Sequence, residues 1–226
     1  MTRHKILLVG SEKGGVGKTS IALNLSVMRA RAGHPVLLVD ADKQASAAMW
    51  CSLRSEGGFM PPLVCVQKLG RIGADLVQLS ENYEICVDAG GSDSVELRHS
   101  IAVADIWLMP ERVGQLDLFV MAKMAQILTD IKERMGRSPS VHILLNAVPP
   151  STKEAEEARE ALTEFEDFPV LDSMLVERVT MRRAVRLGCA VVELTGKNLN
   201  PACVQELMQV YEEIYGEPYV DKATAS

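Results

Sequence analysis

Short apolar runs alternate along the chain with longer stretches in which apolar residues recur at helical spacing. Seven runs are suited to strands buried on both faces, at residues 6–10, 36–40, 63–66, 83–88, 106–109, 141–145 and 170–176. Eight stretches have the period of a helix, at residues 18–32, 45–55, 71–80, 93–104, 115–135, 151–165, 180–187 and 201–215. This alternation predicts an α/β fold, with a mostly parallel twisted sheet, helices on both faces and right-handed crossovers.

Single residues set several of the predicted boundaries. Pro110 is expected to end the fifth strand, and Ser151 to cap an acidic helix. Val191 and Val192 suggest a brief extended segment, and the tail from about residue 217 is expected to be loose. No repeat, low-complexity segment or linker divides the sequence, so we expect a single domain over residues 1–226.

Composition narrows the class of protein. With 47% apolar and 24% charged residues, the 226-residue chain can bury a full core, and with 4% aromatic residues that core is aliphatic. The formal net charge of −6 argues against a generally basic surface for nucleic acid but leaves room for a local basic patch. The 5 cysteines are scattered without a C-x-x-C pair, which favours reduced thiols in the cytosol.

The sequence contains no evident membrane segment. No apolar run approaches the ~18 residues of a membrane helix. The first strand begins so close to the N-terminus that a signal peptide has no room. We therefore expect a cytoplasmic protein without a membrane partner.

A glycine-rich loop joins the first strand to the first helix, and its sequence is Gly10-Ser-Glu-Lys-Gly-Gly-Val-Gly-Lys-Thr19. Such a strand–loop–helix unit turns backbone N–H groups and a helix N-terminus towards a phosphate. Lys18 would bind the β- and γ-phosphates of a nucleotide, and the Thr19 hydroxyl would bind Mg²⁺. The loop departs from the plain pattern G-x-x-x-x-G-K-[ST], because Glu12 occupies the first glycine position and a second lysine, Lys13, follows it.

Carboxylates follow two other predicted strands. Asp88 ends the fourth strand, as a carboxylate that binds Mg²⁺ through water does. Asp40 and Asp42 follow the second strand, and the alternation of an extended chain puts both on one side. Metal binding and water activation are the favoured roles for this pair beside a phosphate loop, and capping of a turn by one of them is the alternative.

Three motifs together resemble the ParA/MinD family of ATPases, which have a deviant Walker A loop. The loop Lys13-Gly-Gly-Val-Gly-Lys-Thr19 resembles that loop, Asp40-x-Asp42-x-Gln44 resembles the second motif, and Ile85-Cys-Val-Asp88 resembles the Walker B strand. The chain looks most like the small plasmid-partition type, and the resemblance covers nearly all of it. Two departures are Lys43, where most members have Pro, and Ala89-Gly90-Gly91, which resembles small ParA proteins and relatives in conjugative DNA transfer.

The resemblance implies a P-loop NTPase fold, the cofactors ATP and Mg²⁺, and a homodimer that forms when ATP is bound. It implies that Lys13 acts in trans on the partner's phosphates, with Lys18 and Asp42 as the other catalytic groups. Thr19 would ligate Mg²⁺ directly, and Asp40 and Asp88 would do so through water. The nucleotide-binding residues would be Lys13, Gly14, Gly15, Val16, Gly17, Lys18, Thr19, Ser20 and Asn146. For Asn146, contact with adenine and a turn before Val-Pro-Pro are equally good interpretations.

A basic segment lies near the C-terminus. If residues 178–187 are helical, the four arginines Arg178, Arg182, Arg183 and Arg186 fall within about 140° of arc, at roughly 100° per residue. Spacing alone slightly favours a solvated face or pairing with the acidic helix at 151–165. The resemblance implies non-specific DNA binding through these arginines.

The favoured function is partition of plasmid or chromosomal DNA by a nucleoid-associated bacterial ATPase. Its hydrolysis would be stimulated by a ParB-like centromere-binding protein or a cargo adaptor. Positioning of a protein cargo or of conjugative transfer DNA is the first alternative. A second alternative is a P-loop small-molecule ligase or an ATPase like the bacterial tyrosine kinases, since Tyr211 and Tyr215 lie near the C-terminus.

Overall fold

A parallel sheet of seven strands forms the centre of the protein. The computed structural model describes residues 3–115, 117–150 and 153–223. In these ranges the strands are β1 Ile6–Val9, β2 Val36–Ala41, β3 Val64–Gln67, β4 Glu84–Ala89, β5 Ile106–Arg112, β6 Ser140–Val148 and β7 Val170–Val176. They lie in the order β3-β2-β4-β1-β5-β6-β7. All neighbouring strands are parallel.

Among the described residues, six helices connect consecutive strands, and two more follow the last strand. They are α1 Lys18–Arg31, α2 Ser46–Glu56, α3 Gly73–Leu79, α4 Val95–Val103, α5 Leu118–Met135, α6 Glu154–Leu162, α7 Val179–Leu187 and α8 Pro201–Tyr215. Short 3₁₀ turns occupy Val113–Gln115, Val191–Glu193 and Gly196–Asn198. The predicted α/β fold with helices on both faces is confirmed. In the described part of the chain, none of the helices is both long and apolar enough to span a bilayer.

Alternate residues of each strand enter two separate cores. In β1, Leu7 and Val9 pack with α1, α2, α7 and α8, whereas Ile6 and Leu8 pack with α3, α4, α5 and α6. Side chains of one strand point to opposite faces, so a strand covered on both faces must be apolar throughout. This is why the strands are continuous apolar runs in the sequence.

The fifth strand does not end at Pro110, contrary to the sequence prediction. It continues to Arg112, and Pro110 lies opposite Leu144 of β6. Proline lacks an N–H and is tolerated in a strand where no partner needs that donor. The pairing of β5 with β1 extends only to Leu108, so beyond that residue β5 is paired on the β6 side alone.

Other predicted boundaries also differ from the structure. Residues 191–193 form a 3₁₀ turn instead of an extended segment, and Ser151 lies outside the described residues. The tail that we expected to be loose contacts α1. Glu217 forms an ion pair with Arg29, and Asp221 forms one with Arg31 at 2.8 Å.

The strand order brings together the chemical groups found in the sequence. Strands β2, β4 and β1 are neighbours, and their carboxyl ends lie at one edge of the sheet. Asp88 is paired in register with Asp40 on one side and with Val9, just before the glycine-rich loop, on the other. Ligands of open α/β sheets bind at this edge.

Candidate nucleotide-binding site

The glycine-rich loop turns between β1 and α1 with two backbone angles that favour glycine. Gly15 has φ 74° and Gly17 has φ 96°, in the left-handed region that side chains disfavour. Between them, Val16 is fully buried and anchors the loop to the protein. The residues predicted to bind nucleotide, from Lys13 to Ser20, therefore run through this loop into the first turn of α1.

The N-terminus of α1 is open to an anion. Gly17 is its N-cap residue, and glycine has no side chain that could accept a hydrogen bond from the first-turn N–H groups. No acidic residue lies in that first turn. Uncapped N–H groups and the positive end of the helix dipole together favour a bound phosphate.

Lys18 begins α1 and is buried, with 7% of its surface exposed. Its ammonium group donates a hydrogen bond to the carbonyl oxygen of Lys13. Burial lowers the pKa of Lys18, and nearby carboxylates act in the opposite direction, Asp88 most strongly. The cation is thus held within the loop, where an incoming phosphate can replace the carbonyl as its partner.

Asp88 is a buried carboxylate beside Thr19 and Lys18. Only 1% of the residue is exposed, and among the described residues neither Oδ1 nor Oδ2 has a partner of ordinary geometry. The pKa of Asp88 is raised to about 7, mainly by burial and also by the charge of Asp40, while the nearby Thr19 hydroxyl and Lys18 act in the opposite direction. A buried acid of this kind needs a cation or a proton.

A magnesium ion fits these residues. Thr19 supplies a hydroxyl beside the two unsatisfied oxygens of Asp88. In the described ranges no cluster of three or more His, Cys, Asp or Glu side chains could enclose a metal ion. Mg²⁺ commonly keeps several waters and takes few protein ligands together with substrate phosphates, so an open arrangement suits it.

Asp40 and Asp42 both shape the loop after β2. Asp40 is fully buried, its Oδ1 accepts the Asp42 N–H at 3.0 Å, and its Oδ2 accepts the Ala48 N–H at 2.9 Å. Asp42 is only partly buried and accepts the Gln44 N–H at 3.0 Å. The capping role considered as an alternative is therefore present in the structure, and it leaves Asp42 as the more accessible carboxylate.

Two glycines after β4 bring that loop against its neighbours. A Cβ atom added at Gly91 would lie 2.9 Å from Gly14 Cα and 3.0 Å from Gly14 N. One added at Gly90 would lie 3.2 Å from the carboxyl carbon of Asp42. The Ala-Gly-Gly sequence after the Walker B strand thus permits close approach of three loops at the site.

Asn146 lies at the end of β6 and touches the phosphate loop. Its Nδ2 donates to the Val16 carbonyl at 2.7 Å, and a Cβ at Gly17 would come within 2.3 Å of that nitrogen. Gly17 is therefore required both by its backbone angle and by this contact. Asn146 also lines a cleft beside the loop, together with Gly15, Gly17, Ser20, Arg112, Ala147, Val176, Glu177, Arg178, Met181 and Arg182. Whether adenine occupies this cleft stays a prediction.

The predicted four-arginine face needs a correction at Arg178. This residue is the extended N-cap of α7, with φ −138° and ψ 142°, and does not lie on the helical face. It forms an ion pair with Glu206 of α8 at 2.5 Å. Arg182 has 67% of its side chain exposed, with a contact to Glu177 at 3.3 Å, and Arg186 is also exposed. Arg183 is partly buried.

Sequence reasoning missed the buried acid Glu111 and the ion pair of Glu12, both near the loop. Glu111, at the end of β5, is 1% exposed and accepts a hydrogen bond from Ser11 at 2.9 Å. Glu12 forms an ion pair with Lys123 of α5 at 2.6 Å. The signal for Glu111 was an acid directly after an apolar strand and Pro110, at the same edge of the sheet as the loop.

These features define an α/β protein with a phosphate-binding loop, an open helix N-terminus and an adjacent carboxylate for a metal ion. The chain belongs to the CobQ/CobB/MinD/ParA nucleotide binding domain family, whose model matches residues 7–188. The resemblance to ParA/MinD ATPases, which rested on three motifs, is confirmed.

Individual relatives cover nearly the whole chain. The maintenance of carboxysome distribution protein A of Gloeobacter kilaueensis is 31% identical over 201 residues, 88% of each chain. Protein ParA of Rhizobium radiobacter is 23% identical over 207 residues, 91% of this chain and 93% of its own. A solved structure, the Cyanothece McdA–ATP complex, superposes with a TM-score of 0.78 at 16% identity over 97% of this chain and 99% of its own. That last similarity supports the fold.

Proposed function

We propose that this protein is an ATPase that uses ATP and Mg²⁺ to join two copies of itself and so to position a cargo in the cell. The main support for this proposal is the environment of Asp88. Its two buried oxygens have no hydrogen-bond partner of ordinary geometry among the described residues, and they lie beside Thr19. With Lys18 and the uncapped α1 N-terminus next to them, they form a site for a polyphosphate with its metal ion.

Each residue has a role that follows from its environment. Lys18 would exchange the Lys13 carbonyl for the β- and γ-phosphate oxygens, while the α1 N–H groups hold the same phosphates. Thr19 would hold Mg²⁺ directly, and Asp88 and Asp40 would hold it through water. The metal ion would neutralise charge that develops on the transferred phosphoryl group. Asp42, the more accessible carboxylate, would orient the attacking water.

Lys13 is the residue that motivates a dimer. It stands at the outer start of the loop, in a sequence position that plain phosphate loops do not use for a lysine. We infer that it reaches the phosphates bound by a second copy of the chain and stabilises charge there in trans. ATP would then hold two copies together, and hydrolysis would release them.

The cargo is DNA or a protein assembly, and similarity supports both. Similarity to chromosome-partitioning proteins of Thermus thermophilus and Caulobacter vibrioides favours DNA partition, whereas the carboxysome distribution protein of Gloeobacter kilaueensis favours a protein cargo. In either case the dimer would bind non-specific DNA through Arg182, Arg183 and Arg186, and a ParB-like protein or cargo adaptor would stimulate hydrolysis. Such phosphate contacts need no base readout and weaken as salt rises.

The test of the dimer combines hydrolysis with mass in solution. We expect the wild-type chain with ATP and Mg²⁺ to double its mass by light scattering and to release phosphate. Lys13→Ala should hydrolyse ATP only at a low residual rate, whereas Asp42→Ala should remain dimeric with ATP because only water activation is impaired. A chain that releases phosphate as a monomer, with Lys13→Ala as active as wild type, would exclude the trans lysine.

The test of DNA binding uses charge-matched variants. Arg182→Ala with Arg183→Ala should weaken ATP-dependent binding to random-sequence DNA and flatten its salt dependence by about one unit of slope per lost phosphate contact. The control is Lys132→Ala with Arg134→Ala, which removes the same charge from exposed positions of α5. Equal effects of the two pairs would show that net charge alone matters. If ATP does not promote DNA binding at all, the dimer must position its cargo on a scaffold other than DNA.

A further inference from the structure

Glu111 is an acid inside the sheet that the proposed chemistry does not use. It is the penultimate residue of β5, and its neighbour in β6 is Leu145. Only 1% of it is exposed, and its Oε2 has no hydrogen-bond partner among the described residues. A buried carboxylate costs free energy unless it is paired, so its presence here calls for a role.

The other oxygen of Glu111 leads to the backbone of Lys13. Oε1 accepts a hydrogen bond from the Ser11 hydroxyl at 2.9 Å, and Ser11 Oγ accepts the Lys13 N–H at 3.3 Å. An amide N–H can only donate, so the Ser11 hydroxyl proton is directed to the carboxylate. Burial raises the pKa of Glu111 and the hydrogen bond from Ser11 lowers it, so this bond favours the ionised carboxylate.

Lys13 is held from its carbonyl side as well, but by a contact that phosphate removes. The Lys18 ammonium donates to the Lys13 carbonyl, and the same ammonium is the group expected to bind phosphate. Once Lys18 turns to a nucleotide, the Ser11 contact at the Lys13 amide is unaffected, because it involves neither the carbonyl nor the ammonium. It can therefore hold the loop when Lys13 is needed.

We infer that Glu111 is a positioning residue that acts through Ser11 on the backbone of Lys13. It fixes the point from which the Lys13 side chain leaves the loop, so that the lysine meets the phosphates of a second copy at the correct place. This role rests on the proposed function, in which Lys13 completes the partner's site. Misplacement of a catalytic group by about 1 Å can cost about 100-fold in rate.

The kinetic test combines Glu111→Gln and Ser11→Ala with Lys13→Ala. Glu111→Gln and Ser11→Ala should each lower kcat for ATP hydrolysis about tenfold, within the cost of a misplaced group. KM for ATP should stay within about twofold, because the groups that bind ATP in cis are unchanged. In a Lys13→Ala background neither variant should lower kcat further, since residues that act as a unit are not additive. Ser100→Ala is the control, because that buried hydroxyl bonds the Glu96 carbonyl away from the loop.

A second readout does not depend on hydrolysis. In nucleotide-free protein, hydrogen exchange of a peptide covering residues 10–17 should rise in Glu111→Gln and Ser11→Ala and stay unchanged in Ser100→Ala. Thermal melting establishes that each variant is folded, and Ser11→Ala removes only one hydroxyl if Glu111→Gln fails to fold.

Each outcome decides between the inference and the function on which it rests. The positioning role would be overturned if hydrogen exchange is unchanged in both Glu111→Gln and Ser11→Ala. It would also be overturned if these two variants lower kcat by the same factor with and without Lys13. Raised exchange with wild-type kcat would overturn it too. A wild-type chain that does not hydrolyse ATP, with exchange raised as expected, would refute the proposed function and leave the contact to Lys13 standing.

Discussion

Replacing Asp88 with Asn should stabilise the nucleotide-free protein while it damages the site. The carboxylate is 1% exposed and burial raises its pKa from 3.8 to about 7. In the unfolded chain the group is ionised above about pH 4, whereas in the folded protein it stays protonated until about pH 7. Folding at pH 8 therefore has to bury an ionised carboxylate, and the neutral amide of the Asp88→Asn variant avoids this cost.

The size of the effect follows from the same two values. A shift from 3.8 to about 7, at 1.36 kcal/mol per pKa unit, makes ionised Asp88 destabilising by about 4 kcal/mol at pH 8. The folded protein binds more protons than the unfolded chain between these values, so the penalty grows as pH rises through that window. It should fall to about 2 kcal/mol at pH 5 and vanish below about pH 4.

The assay is urea unfolding of wild type and Asp88→Asn in EDTA without nucleotide, at pH 5 and at pH 8. We expect the variant to be more stable at both pH values, by the amounts above. With ATP and Mg²⁺ the stability advantage of the variant should shrink, because ligand binding stabilises only a chain that can hold the ligand. The variant would gain less from the nucleotide than the wild type does.

Asp40→Asn is the matched control, one strand away and in register with Asp88. Both Asp40 oxygens accept backbone N–H groups, at 3.0 and 2.9 Å. An amide keeps one acceptor and turns a donor towards the other N–H, so this variant should lose about 1–3 kcal/mol. If the two substitutions change stability in the same direction, or if the gain at Asp88 is the same at pH 5 and pH 8, the reasoning fails.

Two further substitutions test contacts around the site. Gly91→Ala should weaken ATP binding about tenfold or more, which corresponds to about 1.4 kcal/mol. The added Cβ would lie 2.9 Å from Gly14 Cα and would have to displace the phosphate loop. Titration with nucleotide measures the change in affinity. Arg178→Ala should cost about 3 kcal/mol in unfolding free energy, because Glu206 would lose a partly buried partner. Arg182→Ala, at an exposed ion pair, should cost less than about 1 kcal/mol.

Each of these has its own control. For the glycine, Gly114→Ala adds a methyl group where no described atom lies within 4 Å, so it should leave ATP affinity unchanged. Equal losses of ATP affinity in both glycine variants would refute the steric account. For the arginines, Arg178→Ala with wild-type stability would mean that the pair with Glu206 contributes nothing, and Arg178 would then return as a candidate for DNA binding.

Periodicity and motif spacing were sufficient to predict the fold and the loop. A parallel sheet covered on both faces leaves continuous apolar runs, and loops at the carboxyl edge collect the polar residues that follow them. That is why the sequence alone predicts that Lys18, Thr19 and Asp88 lie at one edge of the sheet.

Contacts between distant segments could not be predicted in this way. The N–H groups that donate to Asp40 come from its own loop, but the partner of Arg178 comes from α8. Glu111 lies 100 residues from Ser11 in sequence, so only the pairing of β5 beside β1 brings them together. Spacing also assigned Arg178 to a helix face, whereas the residue is an extended cap whose backbone sets it apart from Arg182 and Arg186.

The nucleotide-free site holds two charges whose present partners are poor, and this links stability to function. The Lys18 ammonium is bound to a neutral carbonyl, and Asp88 has no hydrogen-bond partner among the described residues. A nucleotide with its metal ion would satisfy both at once, because phosphate oxygens would replace the carbonyl and the cation would balance the carboxylate. Part of the free energy of binding would then come from relief of a cost that the folded chain already bears. A site satisfied in advance would be more stable alone, but ATP would stabilise it less and would provide less free energy to drive two copies together.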